Sequence, residues 1–549
     1  MRSRRLLAMA ATVAVVTCGL FLPVARAQQP QRPVAIVSIS PLDRLLPDTT
    51  YLLKACNVPE IGGMIGIMAN QYTQGIDHTK PLGVSVTLDG QMPNAVVYLP
   101  LKSRDEFFEV LAGMGIEPDD LGNGIFEIAV NPVNRQTVFA KDSDGWLFIA
   151  QTEEALATLP EDPTKLLGNL PQQYNVAINL DVQALPQEIK QMAIGEMRKG
   201  LERQMAEQQR DMSAADQAKA KELSEANIKQ LEQMINDTDK VIVGWNTDSS
   251  KQQVNIDVAA QFISGSKLAN QMAELKNLSS NFAKLVAPGA AAQVRFTSKI
   301  SDEDKASQIM NLRNSISQIE QQLPEADREV AKDILQGLSK VMEQTIQEGV
   351  FDGAGSVSLD DDTLRAVVGG AVANGRALEV ELKKIADSVK DKKDAPQFKF
   401  SYGEYKGMSL HSVQFLIKSS DRSVQKVFGD SLMVHVATAD KAYVLSIDPT
   451  GDAALKQAID RIGSSQGEKV TPFDGAIEVA QILQFAQSIA PNPMIENALK
   501  TAQGFSGKDK VQVAARVIER GALYRMTVDE GVLRAGGAAA KGAGGGGGF

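Results

Sequence analysis

Cysteine is almost missing from this chain. Cys18 and Cys56 are the only two among 549 residues, which excludes a disulfide framework and a cysteine-built zinc site. Histidine is nearly as scarce, with His78, His411 and His435 alone, so imidazole chemistry has few residues to draw on. The H-E-x-x-H and Walker signatures are lacking, and G-x-S-x-G and S-x-x-K find no supporting context. Gly62-Gly63 and Gly369-Gly370 stand without the flanking pattern of a dinucleotide site. A Ser/His/Asp or Cys/His site that converges only in space leaves no linear trace, and nothing here favours one. The sequence therefore names no catalytic, cofactor-binding or metal-binding residue.

What is present begins at the N-terminus. Arg2, Arg4 and Arg5 precede the apolar run LLAMAATVAVVTCGLFLPVA, which closes on Ala25-Arg26-Ala27. Charged, apolar and small-residue regions in that order describe a secretory signal peptide, residues 1–27. An uncleaved anchor is the alternative, because the run approaches spanning length. Ser3-Arg4-Arg5 lacks the rest of a twin-arginine motif, and Thr17 before Cys18 is a poor lipoprotein match. The expected location is periplasm, cell envelope or outside the cell. No second apolar segment of spanning length follows, so no integral membrane segment is expected after cleavage.

Four arginines and no acid leave with residues 1–27, which takes the net charge from −10 to −14. Such a chain repels nucleic acid unless it carries a basic stripe. The nearest candidate, KKIADSVKDKK, is diluted by Asp387 and Asp391. Nucleic acid is not an expected partner.

Periodicity predicts an α+β fold of two similar halves. Residues 28–45 read as a linker and TYLLKAC (50–56) as a lone strand holding Cys56. The runs LGVSVTL and NAVVYLPL join at Asp89-Gly90, a strong hairpin signal. Ser103 then caps the helix DEFFEVLAGM, and GIFEIAV, QTVFAKD and GWLFIAQ follow as strands, with TEEALATL as a short helix. The order of lone strand, hairpin and helix returns from YNVAINLDV, again from AQVRFTS, and last from GAIEVAQ. The first half is placed at 46–286 and the second at 287–533, each antiparallel sheet with packed helices. Each carries a long helical hairpin insertion, about 186–237 and about 301–348, the second broken at Leu323-Pro324. Residues 534–549, rich in glycine, read as a disordered tail.

Asp360, Asp361 and Asp362 are the most tempting metal candidate. Read as a calcium loop, DDDTLRAVVGGA puts apolar residues at positions seven to nine and Ala371 where glutamate is required. The aspartates fit a hairpin turn instead. His78 reads as a loop residue, and His411 and His435 as strand residues with no carboxylate beside either in sequence.

Leu46-Pro47-Asp48-Thr49 is similar to the opening of exported bacterial proteins of unknown function, in which an LP-x-DT phrase leads into a strand and sheet-and-helix repeats. Leu170-Pro171 resembles a second copy. The resemblance implies export and an α+β build and supplies no catalytic residue. The function expected first is a non-catalytic envelope or secreted protein with a binding or scaffold role, its protein partner held through sheets or coiled-coil-like helical arms. A carrier of an apolar ligand or lipid comes second, with Met192, Met197, Met205, Met212 and Met234 as adaptable lining. A hydrolase with an unrecognised site is third.

Overall fold

The computed structural model describes residues 32–90, 92–131, 136–208, 214–322, 325–360, 362–391, 395–417, 422–465 and 467–543. The expected signal peptide, the Leu323-Pro324 break, Asp361, Met212 and residues 544–549 lie outside them. The chain divides into two compact units, Met1–Ser266 and Lys267–Phe549. That division falls before the 286/287 boundary read from the sequence.

The first unit runs β1 (Ala35–Ile39), α1 (Leu42–Ala55), α2 (Pro59–Tyr72), β2 (Leu82–Asp89), β3 (Met92–Pro100) and α3 (Arg104–Gly113). A four-strand meander follows: β4 (Pro118–Gly122), β5 (Ile125–Asn131), β6 (Gln136–Ser143) and β7 (Trp146–Ala150). Short helices α4 (Pro163–Leu167) and α5 (Leu170–Gln173) lead to β8 (Val176–Asp181), α6 (Gln187–Gln208), α7 (Ala214–Asp237), β9 (Thr238–Asp248) and β10 (Gln253–Phe262). The strand order is β4-β5-β6-β7-β3-β2-β1-β8-β9-β10, every neighbouring pair antiparallel.

The helix α3 forms where the sequence supplies a cap and first-turn acids. Ser103 Oγ accepts from Glu106 N–H at 3.3 Å, and Asp105 and Glu106 sit at the positive helix end. Phe107 and Phe108 then pack over Phe126, Ile128 and Leu147 on one face of the meander. On the other face Tyr98, Trp146 and Phe148 bury Leu156. Leu167 of α4 lies against Gly83, and Tyr174 against Gly244, where any Cβ would sit within 2.6 Å and 2.4 Å of those side chains.

The second unit begins with α8 (Lys267–Glu274) and β11 (Ser279–Ser280), then β12 (Ala292–Lys299), α9 (Asp302–Gln322), α10 (Glu325–Glu348), β13 (Val350–Asp360), β14 (Thr363–Ala371) and α11 (Gly375–Val389). Its meander holds β15 (Gln397–Tyr405), β16 (Met408–Leu416), α12 (Arg422–Phe428), β17 (Ser431–Ala439) and β18 (Ala442–Ile447). After α13 (Ala453–Gly463) come β19 (Glu468–Lys469), β20 (Phe473–Glu478), α14 (Val479–Ile489), α15 (Pro493–Gln503), β21 (Lys510–Ile518), β22 (Gly521–Asp529) and α16 (Glu530–Ala543). Its main sheet reads β15-β16-β17-β18-β14-β13-β12-β20-β21-β22, while β11 and β19 pair apart. Matched strand by strand, this is the order of the first unit. The core lies between the sheet and α13, where Leu455, Ala458 and Ile459 meet Val367, Leu410, Ala437 and Val444.

Each unit also contains one module twice: a lone strand, two helices and a hairpin. The lone strands β1 and β8 pair at its centre, as do β12 and β20. The six strands of the two modules therefore mirror one another about that junction, with the meander on one side only.

Several expectations need correction. TYLLKAC is the end of α1, with Cys56 at its C-cap. The run 50–56 read alone suggests a strand, but Leu42, Leu45, Leu46, Leu52 and Leu53 keep helical spacing. The lone strand is β1, inside the expected linker 28–45. TEEALATL forms only the single turn Glu154–Leu156, and β4 was not foreseen. The tail stays helical to Ala543, because its small residues allow close helix packing: Ala535 is buried with Ala498 and Ala502. Arg534 adds an ion pair to Glu530 at 2.6 Å and lies over the Phe505 ring at 4.9 Å.

Candidate functional site

The two strand histidines are the natural first test. His411 pairs in register with Val436, and His435 with Ser412, so the two imidazoles project from opposite faces of one antiparallel strand pair. Both are buried. A converging pair is ruled out by this one-residue register offset. Neither histidine has a carboxylate beside it in sequence, but the fold brings one near each: Glu379 Oε2 lies 3.7 Å from His411 Nε2, and Asp452 reaches His435 through the Tyr402 hydroxyl. Burial pushes both imidazoles below their ordinary value, against the pull of Glu379 on one and of Asp452 and Asp448 on the other. His78 bonds Thr73 Oγ1 at 2.8 Å in its loop. Burial pushes the Cys56 thiol up, away from a reactive thiolate.

Asp360 and Thr363 close the β13–β14 hairpin, with Asp362 in the turn. The Asp360 carboxylate is ion-paired to Arg365. Among the described residues, no three His, Cys, Asp or Glu side chains are grouped to hold a metal.

The surface that stands out is the open side of each sheet. In the first unit, register places Val97, Val84, Val37, Ile178, Val243 and Val258 in one row across six strands. A second row holds Leu82, Ile39, Val176, Trp245 and Ile256. Neither row contains a charge. Ile178, Val243, Ile256 and Val258 remain 39–47% exposed, unusually open for apolar residues sharing one face of a sheet. The reverse face of the same strands presents Ser38, Ser85, Asn179, Asp181, Lys240 and Asp257.

The second unit repeats this inversion. Leu445, Val368, Gly355, Val294, Gly475, Val513 and Met526 form one row, beside Phe296, Phe473, Ala515 and Tyr524. Phe296, Val368, Ile477, Val513 and Tyr524 are all exposed. The charges lie on the reverse face, paired: Arg295 with Asp474 at 3.2 Å and Lys510 with Glu478 at 2.8 Å. Buried Asp352 there accepts from Ser280 Oγ, Asn281 N–H and Thr297 Oγ1 at 2.6, 2.8 and 3.1 Å. Alternation along VAINLD and VIVGWNTD was visible in the sequence. Which face stays open was not, since period-two patterning does not say where the helices settle.

Two small clefts are polar. One, about 360 Å³, is lined by Arg44, Asp48, Gln172, Gln173 and residues 246–250. Its groups are largely satisfied by one another. Asn175 Nδ2 donates to Asp48 at 2.7 Å and its Oδ1 accepts from Thr247 N–H at 2.6 Å. Arg44 donates to the Pro171 and Gln172 carbonyls at 3.0 and 2.9 Å. Hydrogen bonds from Lys251 and Ser250 hold the Asp248 carboxyl down to about 2. Asp48 of the LPDT phrase and Pro171 of its proposed copy thus belong to one polar lock. The other cleft, about 320 Å³, has Leu359, Asp360, Gln481, Gln484 and Phe485 around it.

Exposed apolar side chains also mark the helix pairs. Met192, Met197 and Met234 on α6 and α7 are exposed, as are Ile61, Met64 and Ile67 on α2. The side chain of Met205 is outside those described. An Arg198–Glu232 ion pair at 3.0 Å links α6 to α7, and Arg313–Glu343 at 2.6 Å links α9 to α10. No helix among the described residues is long and apolar enough to cross a membrane. No family model, curated protein or solved structure matches this chain.

Proposed function

We propose that this chain is an exported, non-catalytic binding protein with a scaffold role, and that a protein partner docks on the uncharged open sheet face. The observation that carries this reading is the in-register apolar row, exposed in both units while charged groups are paired on the reverse side. Apolar surface of this extent is costly to leave in water unless it is covered in use. The acidity of the chain disfavours a second copy as the cover, because like charge would surround the contact. The matching strand orders support an internal duplication that gave each half such a face, with helix pairs α6–α7 and α9–α10 as projecting arms.

A photo-crosslinking residue at position 178 of the exported protein tests the proposal in cells. The expected result is one discrete protein adduct, lost when Val243→Lys places a charge in the row, and not formed from position 199 on an exposed helix. Absence of an adduct, or one that survives Val243→Lys, overturns it. A second reading, an apolar ligand or lipid, draws on the exposed methionines of α6 and α7. Lipid adducts in place of protein would favour that alternative.

A further inference from the structure

β15 ends the strand order of the second unit, and it is irregular. Lys399 pairs with Ser412 and Gly403 with Leu410, so Phe400, Ser401 and Tyr402 bulge opposite the single residue His411. Ser401 is not glycine, yet it takes φ +47°, a conformation that L side chains rarely adopt without outside support. The support comes from both histidines. On one face Ser401 N–H donates to His411 Nδ1 at 3.1 Å. His411 Nδ1 must therefore be bare, and the ring proton sits on Nε2, 3.2 Å from Thr438 Oγ1. On the other face Tyr402 O–H donates to Asp452 at 3.1 Å, and its oxygen lies 3.4 Å from His435 Nδ1. A proton on His435 Nδ1 completes that contact and leaves Nε2 bare; this nitrogen is buried without a partner.

We infer that His411 and His435 form a proton-released clasp on edge strand β15. A second proton on His411 lands on Nδ1, where it opposes the Ser401 N–H and breaks the bond that holds the bulge. A second proton on His435 lands on Nε2 in a site without an acceptor. Either event loosens residues 400–402, and departure of β15 bares the edge of β16, a ready template for strand addition.

The surrounding charges set the response without cancelling it. Around His411, α11 supplies Glu379, which favours protonation, and Lys383, which opposes it. Lys383 also bonds Glu379 at 2.6 Å and so occupies the carboxylate. Around His435 stand Asp452, Asp448 and Lys456, with Lys456 paired to Asp452 at 3.0 Å. Burial outweighs these pulls for both rings. The matching edge strand of the first unit needs no clasp. Its register also shifts, between Asp120 and Gly122, but there glycine takes φ +90° and the Asp120 carboxylate accepts Gly122 N–H at 2.7 Å.

Hydrogen exchange of the full chain between pH 7.5 and 5, corrected for intrinsic rates, tests the clasp. Peptides covering 397–405 should exchange about tenfold faster per pH unit below the ordinary imidazole value, while those covering 118–131 hold steady. His411→Asn leaves an acceptor near Nδ1 that takes no proton, and should keep protection while flattening most of the pH response. Equal loss in both edge strands, or an unchanged response in the variant, overturns the proposal. Should the variant fail to fold, ¹⁵N-histidine spectra of the unaltered protein decide. A bare Nδ1 on His411 and titration below the free value support the clasp; a protonated Nδ1 at neutral pH, or titration at or above that value, overturns it.

Discussion

The two meanders, β4–β7 and β15–β18, occupy the same place in the same strand order and are held by different chemistry. The first is aromatic: Tyr98 meets Phe148 edge-on at 5.7 Å, and Phe108 meets Phe126 at 4.9 Å. The second packs aliphatic side chains against α13 and adds a buried histidine on each face. One topology thus tolerates two cores, because antiparallel order is fixed by backbone pairing and short connections, while the interior needs only apolar groups of fitting volume. The difference also teaches where environmental sensitivity lies. Aromatic packing ignores pH, whereas an imidazole used as an acceptor does not.

The largest effects should come from breaking each core in turn. Phe148→Ala should cost about 3–5 kcal/mol and Leu455→Ala about 2–5 kcal/mol. Trp146 and Trp245 are the only tryptophans and both lie in the first unit, so urea melts followed by tryptophan fluorescence should register Phe148→Ala far more strongly. Equal shifts for the two variants would show that the units unfold as one.

Adjacent residues on opposite faces sharpen the comparison further. Asp257→Ala removes the acceptor of the buried Tyr174 hydroxyl, at 3.0 Å, and should cost about 1–3 kcal/mol. Val258→Thr, one residue on and exposed, should change stability by about 0.5 kcal/mol or less. A larger loss from Val258→Thr would mean that the open face is already packed in the free protein.

Acid should separate the meanders. His411 and His435 are both held below the free value when folded, so each contributes fully above about pH 6.5. That contribution is lost as pH falls from there toward the folded values. Midpoints followed by a probe on β17 should drop across this window, while the tryptophan-reported transition, with no histidine in β4–β7, moves less. The smallest effect is expected at the aspartate turn. Asp360→Asn loses a surface ion pair with Arg365 and should cost about 1 kcal/mol or less, and calcium should leave the Tm where it was. A calcium-dependent rise would restore the metal reading.

Most element types were legible along the chain, as the Ser103 cap, the Asp89-Gly90 turn and the alternation in VAINLD show. The candidate surface was half legible. Its residues could be named as strand residues, but the bare row from Val97 to Val258 exists only once six strands are in register. The clasp left no linear signal at all, since Ser401, His411 and Glu379 come from separate elements. Composition and local pattern by themselves determined an acidic α+β chain, because charge and periodicity act over a few residues. Tertiary structure alone decided that the alanine-rich end packs, that the histidines face apart and that the apolar face is the open one. Each of those outcomes depends on which elements come together across distant parts of the chain, and hydrophobic periods are degenerate with respect to partner.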